Sequence, residues 1–298
     1  MRAPQALAVE QKAVNSLPIS AYKPPPKVIV PVKKETNSRG VQTTAQSVLV
    51  FDLASNEPLY EKNSDKPVPL ASLTKLMSAL VLNDIIDDWQ KKVSFAKEDL
   101  KGGNKPNFLA GDTLAREQFM YVGLISSDND AIATLVRTSG IPESEFVIKM
   151  NEKAKALGML NSSFADPTGL NPANVSTAKD LSIMVREALK VDRVQKATTM
   201  SRYQVRTLTR PHFVYNTDIL LNSFLNRQPY QIIGGKTGFI EESGYNLVLG
   251  VKNQGVQLIT LVLGSRTSNE RFQEAKSLIA WTFENYDWPQ VSVAAEQP

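Results

Sequence analysis

Ser72-Leu73-Thr74-Lys75 sets a hydroxyl and an amine three residues apart, and on a helical turn positions i and i+3 face the same way. A lysine withdrawn from water has a lowered pKa, so it can accept the proton of a neighbouring serine and turn that hydroxyl into a nucleophile. By itself the spacing is weak evidence, because about one Ser-x-x-Lys is expected by chance in a chain this long. Ser94 to Lys97 and Ser176 to Lys179 fit it too. Ser176 and Thr177 precede Asp180 and the apolar Leu181, Met184 and Val185, an arrangement that caps a helix. Ser94 lies in a short segment before Lys97-Glu98-Asp99. Ser72 could itself be no more than a helix cap.

Two further clusters carry chemistry. Ser127-Asp128-Asn129 falls in a break between two helical patterns, where the side chains can point into a cleft or merely cap the next helix. Gly235-Lys236-Thr237-Gly238 has a rival reading as a phosphate loop, but that pattern needs glycine where Tyr230 stands and a helix where the sequence reads as strand. A glycine-flanked edge strand instead lets a substrate backbone come close.

The elements that position these groups follow from periodicity. Val48, Val50 and Leu53 mark a strand, and Ala54 to Glu57 turn it into a second at Leu59-Tyr60. Leu76, Met77, Leu80, Val81 and Ile85 recur at helical spacing, predicting a helix from about Ser72. Helical patterns continue through residues 114 to 125, 131 to 136 and 146 to 157, the last stopped by Gly158. Residues 245 to 251 and 256 to 263 read as strands joined at Asn253-Gln254-Gly255, before a helix over about 269 to 286. The expected fold is α/β (α+β): a mainly antiparallel sheet assembled from both chain ends, flanked by helices, with an all-helical sub-domain inserted.

Composition removes other chemistries. The 298 residues contain no cysteine and one histidine, so a thiolate nucleophile is excluded and a zinc peptidase is disfavoured; no metal and no cofactor are expected. His212 follows Pro211 in a loop-like stretch remote from the motifs, which gives a Ser-His-Asp triad little support. Residues 1 to 45 hold seven Lys and Arg against two Asp and Glu, leaving the body near −1 out of a total of +4. The stretch from 20 to 40, with Pro24, Pro25 and Pro26, reads as an extended tether. The expected layout is a disordered basic tail over 1–44, a catalytic domain over 45–288 and a short tail over 289–298. No nucleic-acid partner and no membrane span are expected, since no stretch approaches ~18 apolar residues. The start also lacks the apolar segment of a signal peptide.

Ser-x-x-K, S-D-N and K-T-G in this order form the signature of the penicillin-recognising serine enzymes. Over roughly Ala45 to Tyr286 the chain resembles the D-Ala-D-Ala carboxypeptidase family of low-molecular-mass penicillin-binding proteins. Leu124 to Ala131, Phe164 to Leu170, Ser176-Thr177-Ala178 and Gly244 to Leu247 support the likeness. Within the family it is most similar to the D-alanyl-D-alanine endopeptidase branch, through Ala71 to Met77 and Lys236 to Phe239; some sixty residues after Gly238 fit neither the extra β domain nor the anchor usual in the carboxypeptidases. The resemblance implies a DD-peptidase/β-lactamase-like fold, export to the periplasm with the signal peptide trimmed from this form, peptidoglycan peptides as substrates and β-lactams as covalent inhibitors. It implies Ser72 as nucleophile, Lys75 as base and Ser127 as proton relay. Asn129, Lys236, Thr237, Gly238 and Phe239 would bind substrate, and the amides of Ser72 and Phe239 would form the oxyanion hole. Arg271 has two readings, assistance with a substrate carboxylate and, as the preferred one, a helix-surface arginine. A Glu-assisted β-lactamase would need a glutamate where this chain offers Asp166-Pro167-Thr168-Gly169-Leu170-Asn171. Two readings stay open beside the endopeptidase: a carboxypeptidase of the same family, and a non-catalytic peptidoglycan-binding protein.

Overall fold

The computed structural model describes residues 29–102, 107–207 and 211–289. At its centre is a five-stranded antiparallel sheet made of β1 (Ser47–Asp52), β2 (Pro58–Lys62), β3 (Tyr230–Ile240), β4 (Gly244–Asn253) and β5 (Val256–Ser265), in the order β3-β4-β5-β1-β2. The strands closest to each chain end lie side by side, Val50 opposite Thr260 and Val48 opposite Val262. This is the sheet shared by both chain ends that the sequence predicts.

Every residue of β1 is buried, because the sheet is covered on both faces and period-2 alternation sorts apolar groups to each side. Val48 and Val50 join Leu247, Leu249 and Val262 against Phe272, Leu278 and Ile279 of the last helix, α7 (Ser268–Asn285). Leu49 and Phe51 point the other way, into the larger core built with α1 (Thr74–Ile85), α2 (Arg116–Ile125), α3 (Asn129–Thr138), α4 (Glu143–Leu157), α5 (Ala178–Ala188) and α6 (Asp192–Thr199). Gly158 ends α4 at φ 84, a left-handed cap that glycine adopts at little cost.

Two expectations are corrected. Residues 29 to 44, assigned to a disordered tail over 1–44, form a strap instead. Val32 and Lys33 pair with Asp287 and Tyr286, and Trp281 Nε1 donates to Ser38 Oγ at 2.6 Å. Tyr60 Oη donates to the Val41 carbonyl at 2.7 Å, and Lys62 Nζ to the Ala45 carbonyl at 2.8 Å. Composition misleads here because the strap is held by partners on β2 and α7, not by an apolar period of its own. The remainder of both expected tails, 1–28 and 290–298, lies outside the described residues. His212 is not on a loop: Pro211–Tyr215 pairs with Arg202–Arg206 as a two-stranded ladder. Among the described residues, no helix is long and apolar enough to cross a membrane.

Candidate active site

The helix predicted to begin near Ser72 is preceded by a 3-10 turn, Ala71–Leu73, that runs into α1 at Thr74. Ala71 sits at φ 49, a left-handed conformation that costs a non-glycine residue about 1 kcal/mol or more. The turn is held against the sheet by Asn246 of β4. Its Nδ2 donates to the carbonyls of Pro69 and Leu70, both at 3.1 Å, while its Oδ1 accepts from the Gly264 amide. Ser72 is thereby lifted toward the cleft, and Lys75, one turn on, is fully buried beneath it. Lys75 Nζ donates to Ser72 Oγ at 2.9 Å and, at 2.6 Å each, to Asn129 Oδ1 and the Thr168 carbonyl. Burial lowers its pKa to about 7, against the opposing pull of Asp128 and Asp166.

Ser127 arrives from the break between α2 and α3, again left-handed, at φ 59. Asp128 caps α3 by accepting from the Ala131 amide at 2.7 Å, so the capping role and the placement of Ser127 and Asn129 coexist in one tripeptide. Lys236 reaches across from β3 and donates to Ser127 Oγ at 2.8 Å and to the Thr237 carbonyl at 2.9 Å. Burial, then the charges of Lys75 and Arg271, hold this second ammonium well below its usual range. Asn129 Nδ2 donates to the Gly102 carbonyl at 2.9 Å, and an amide nitrogen carries a second N–H beyond that one. Thr237 Oγ1 donates to Thr217 Oγ1 at 2.6 Å.

Ser72, Ser127, Asn129, Thr217 and Thr237 line one cleft of about 430 Å³, together with Ser126, Gly169, Leu170, Glu241 and Arg271, and Lys75 and Lys236 are buried behind them. Strand β3 closes one side and is an edge of the sheet, so its outer backbone is available to an extended peptide. A Cβ on Gly238 would stand 2.9 Å from the Leu70 carbonyl and 3.2 Å from the Ser72 amide; glycine is what lets β3 pass so near the serine. Phe239 is 48% exposed at the rim, its ring stacked on Tyr245 at 4.3 Å.

Lys75 is lodged beneath this cleft between Ser72, Asn129 and Thr168, and Lys236 is locked to Ser127, so the three motifs form a single connected hydrogen-bonded group. Residues 32–267 match the D-alanyl-D-alanine carboxypeptidase family. The chain belongs to that family. It is 30% identical over 250 residues to a D-alanyl-D-alanine carboxypeptidase of Bacillus subtilis, covering 82% of this chain but 63% of the relative. It is 31% identical over 263 residues to a D-alanyl-D-alanine endopeptidase of Pseudomonas aeruginosa, covering 87% and 81%. Thus the chain spans under two thirds of the first relative and about four fifths of the second. Among solved structures it resembles penicillin-binding protein D2 of Listeria monocytogenes in its ampicillin-bound form, with a TM-score of 0.71 and 28% identity over 83% of this chain and all of that one. The Streptomyces K15 DD-transpeptidase is similar at a TM-score of 0.77 and 26% identity, again over 83% of this chain.

With this family fold in place, the Ser-x-x-Lys pairs that begin at Ser176 and Ser94 separate from the one at Ser72. Ser176 Oγ meets Ser162 Oγ at 2.7 Å, whereas Lys179 pairs with Asp65 at 3.0 Å, and Thr177 caps α5. Ser94 Oγ lies 2.8 Å from Thr113 Oγ1 in a two-stranded ladder. Arg271 is not on the helix surface: it is 7% exposed and donates from Nη1 to the Gly238 carbonyl at 3.1 Å. Sequence reasoning also misses Thr217, whose only local signal is its place in an Asn-Thr-Asp tripeptide, and the Thr168 carbonyl, which no side-chain motif can encode.

Proposed function

We propose that this chain is a serine DD-peptidase that cuts D-alanyl bonds in peptidoglycan, preferably at crosslinks, as a periplasmic D-alanyl-D-alanine endopeptidase active in wall remodelling and cell shape. The observation that carries this reading is that Ser72 and Ser127 share one cleft beside an edge strand, each hydrogen-bonded to a buried lysine, Lys75 and Lys236. A buried amine with a pKa near 7 is neutral in a large share of molecules at neutral pH and can take the Ser72 proton. Ser72 Oγ then adds to the D-alanyl carbonyl. The resulting oxyanion lies toward the amides of Ser72 and Phe239, groups fixed by the Ala71 turn and by β3. Collapse expels the amine, which takes its proton through Ser127, a hydroxyl held by Lys236. The acyl group left on Ser72 is released by water. A β-lactam follows the same first step, and because its amine stays tethered, the acyl-enzyme persists.

Arg271, behind Gly238, gives the Thr237 side of the cleft its positive charge for a substrate carboxylate, and Asn129 offers its second N–H to the peptide. Asp166 is not a substitute for a deacylating glutamate. Its Oδ1 accepts from the Thr168 amide, the Thr168 hydroxyl and the Gly169 amide, and its Oδ2 from the Asn171 amide and Asn174 Nδ2. Burial pushes its carboxyl up, but these hydrogen bonds outweigh that and leave it below its usual value. It is a loop staple with its lone pairs taken, so penicillin is hydrolysed slowly. Turnover of many per second would contradict this.

The crosslink preference rests on likeness to the endopeptidase branch and to relatives bearing that name. Incubation with purified crosslinked and uncrosslinked muropeptides tests it. Loss of dimers is expected; release of free D-alanine alone would move the assignment to a carboxypeptidase.

A further inference from the structure

Among the buried acids that take no part in the chemistry above is Asp218. It is 1% exposed and directly follows Thr217, the partner of Thr237 in the cleft. Its Oδ1 accepts from the Leu220 amide at 2.9 Å, capping the 3-10 turn Ile219–Asn222. Its Oδ2 is buried and, among the described residues, has no hydrogen-bond partner. That oxygen lies 3.2 Å from where a Cβ on Gly235 would stand, so it sits under the residue of β3 that precedes Lys236, in space that glycine leaves open. An orphaned carboxylate oxygen inside a protein is costly, and its place behind a cleft that Arg271 lines asks for a reason.

The charged groups facing Asp218 are Arg271 of α7 and Lys236 of β3; Lys75 and Tyr245 act on those two in turn. We propose that Asp218 is a positioning residue for anion recognition: as an anion it holds part of the positive field of Arg271 and Lys236 below the strand, and as a neutral acid it releases that field to a ligand carboxylate in the cleft. Burial raises its pKa to about 6, with the Leu220 hydrogen bond and the two cations pulling against the rise. The exchange therefore falls within an accessible pH range. The sign is fixed by linkage: a carboxylate ligand binds the neutral-acid form more tightly, so affinity rises as pH falls through about 6, and binding takes up a proton. The chemical step runs the opposite way, since Lys75 must lose its proton near pH 7 to act as base.

The proposal rests on the penicillin-acceptor reading of this cleft, and its test separates the two. Benzylpenicillin binding is measured by calorimetry on the Ser72→Ala chain between pH 5 and 8, where no acylation obscures affinity. The expected result is tightening of about fivefold or more on descending through pH 6, with proton uptake shown by the dependence of the heat on buffer ionisation. Asp218→Asn keeps an oxygen for the Leu220 cap. In the Ser72→Ala background it should bind more tightly at pH 7 and lose the inflection near 6, while a step near 7 due to Lys75 persists. A purely structural role would lower Tm and leave the inflection in place. Absence of both the inflection and the proton uptake in Ser72→Ala overturns the proposal, as does an inflection that survives Asp218→Asn. Failure of the unaltered chain to be labelled by penicillin would remove the functional reading and this proposal with it.

Discussion

At Lys75 the cost of burial and the need for a base are the same quantity. The amine is enclosed by Ser72, Asn129 and the Thr168 carbonyl, and loss of water is what brings its pKa to about 7. Below that value the lysine is protonated and cannot accept from Ser72; above it the pair is competent. The acylation rate by penicillin is therefore expected to rise with pH through about 7 and level off. Lys75→Met should lower the rate by roughly a thousandfold or more, within the range of removing a general base from a coupled pair. Stopped-flow acylation over pH 5.5 to 9 checks both; a flat profile would contradict the assignment. Ser72, Lys75, Ser127, Asn129, Lys236 and Thr237 are legible in the sequence because each belongs to a short motif with its own chemistry. Thr217 and Asp218 are not, and neither is the burial of Arg271, since these come from packing a 3-10 turn, an edge strand and α7 together, and no local spacing records that.

At the scale of elements, the site depends on how tightly three backbones approach. Gly169 sits at φ 93, and a Cβ there would come 2.0 Å from the Ala71 carbonyl, so the loop that offers its Thr168 carbonyl to Lys75 lies against the turn that carries Ser72. Gly169→Ala should destabilise the fold by about 2–4 kcal/mol and reduce the acylation rate of the folded fraction at least tenfold. Urea unfolding with parallel labelling measures both; full acylation in a stable variant would show that this contact does not set the position of Ser72. The helix starts and the late hairpin are readable from apolar period and turn residues. The left-handed Ala71 and Ser127 are not, because neither residue type prefers that conformation and only the surrounding packing holds it.

At the scale of the whole molecule, the sheet binds the two chain ends around the helical body, and the strap closes the same face. Thr36, Ser38, Val41 and Thr43 hydrogen-bond to α7 and β2, yet none of these strap residues lines the cleft. Removing residues through Thr44 should cost about 2–4 kcal/mol, a fall in Tm of roughly 5–10 °C, with the labelling rate of the folded protein unchanged. An unaltered Tm would mean the strap adds nothing to the fold. Its basic, proline-rich composition reads as a tether because the partners that order it lie outside it, on β2 and, more than 200 residues away in the chain, on α7. The central claim is that this assembled cleft makes Ser72 a nucleophile, and labelling by a fluorescent penicillin tests it most directly. The native chain and Ser176→Ala, which removes a serine of another Ser-x-x-Lys pair, should both take up label, and Ser72→Ala should take up none. Label retained on Ser72→Ala, or absent from the native chain, would contradict the account.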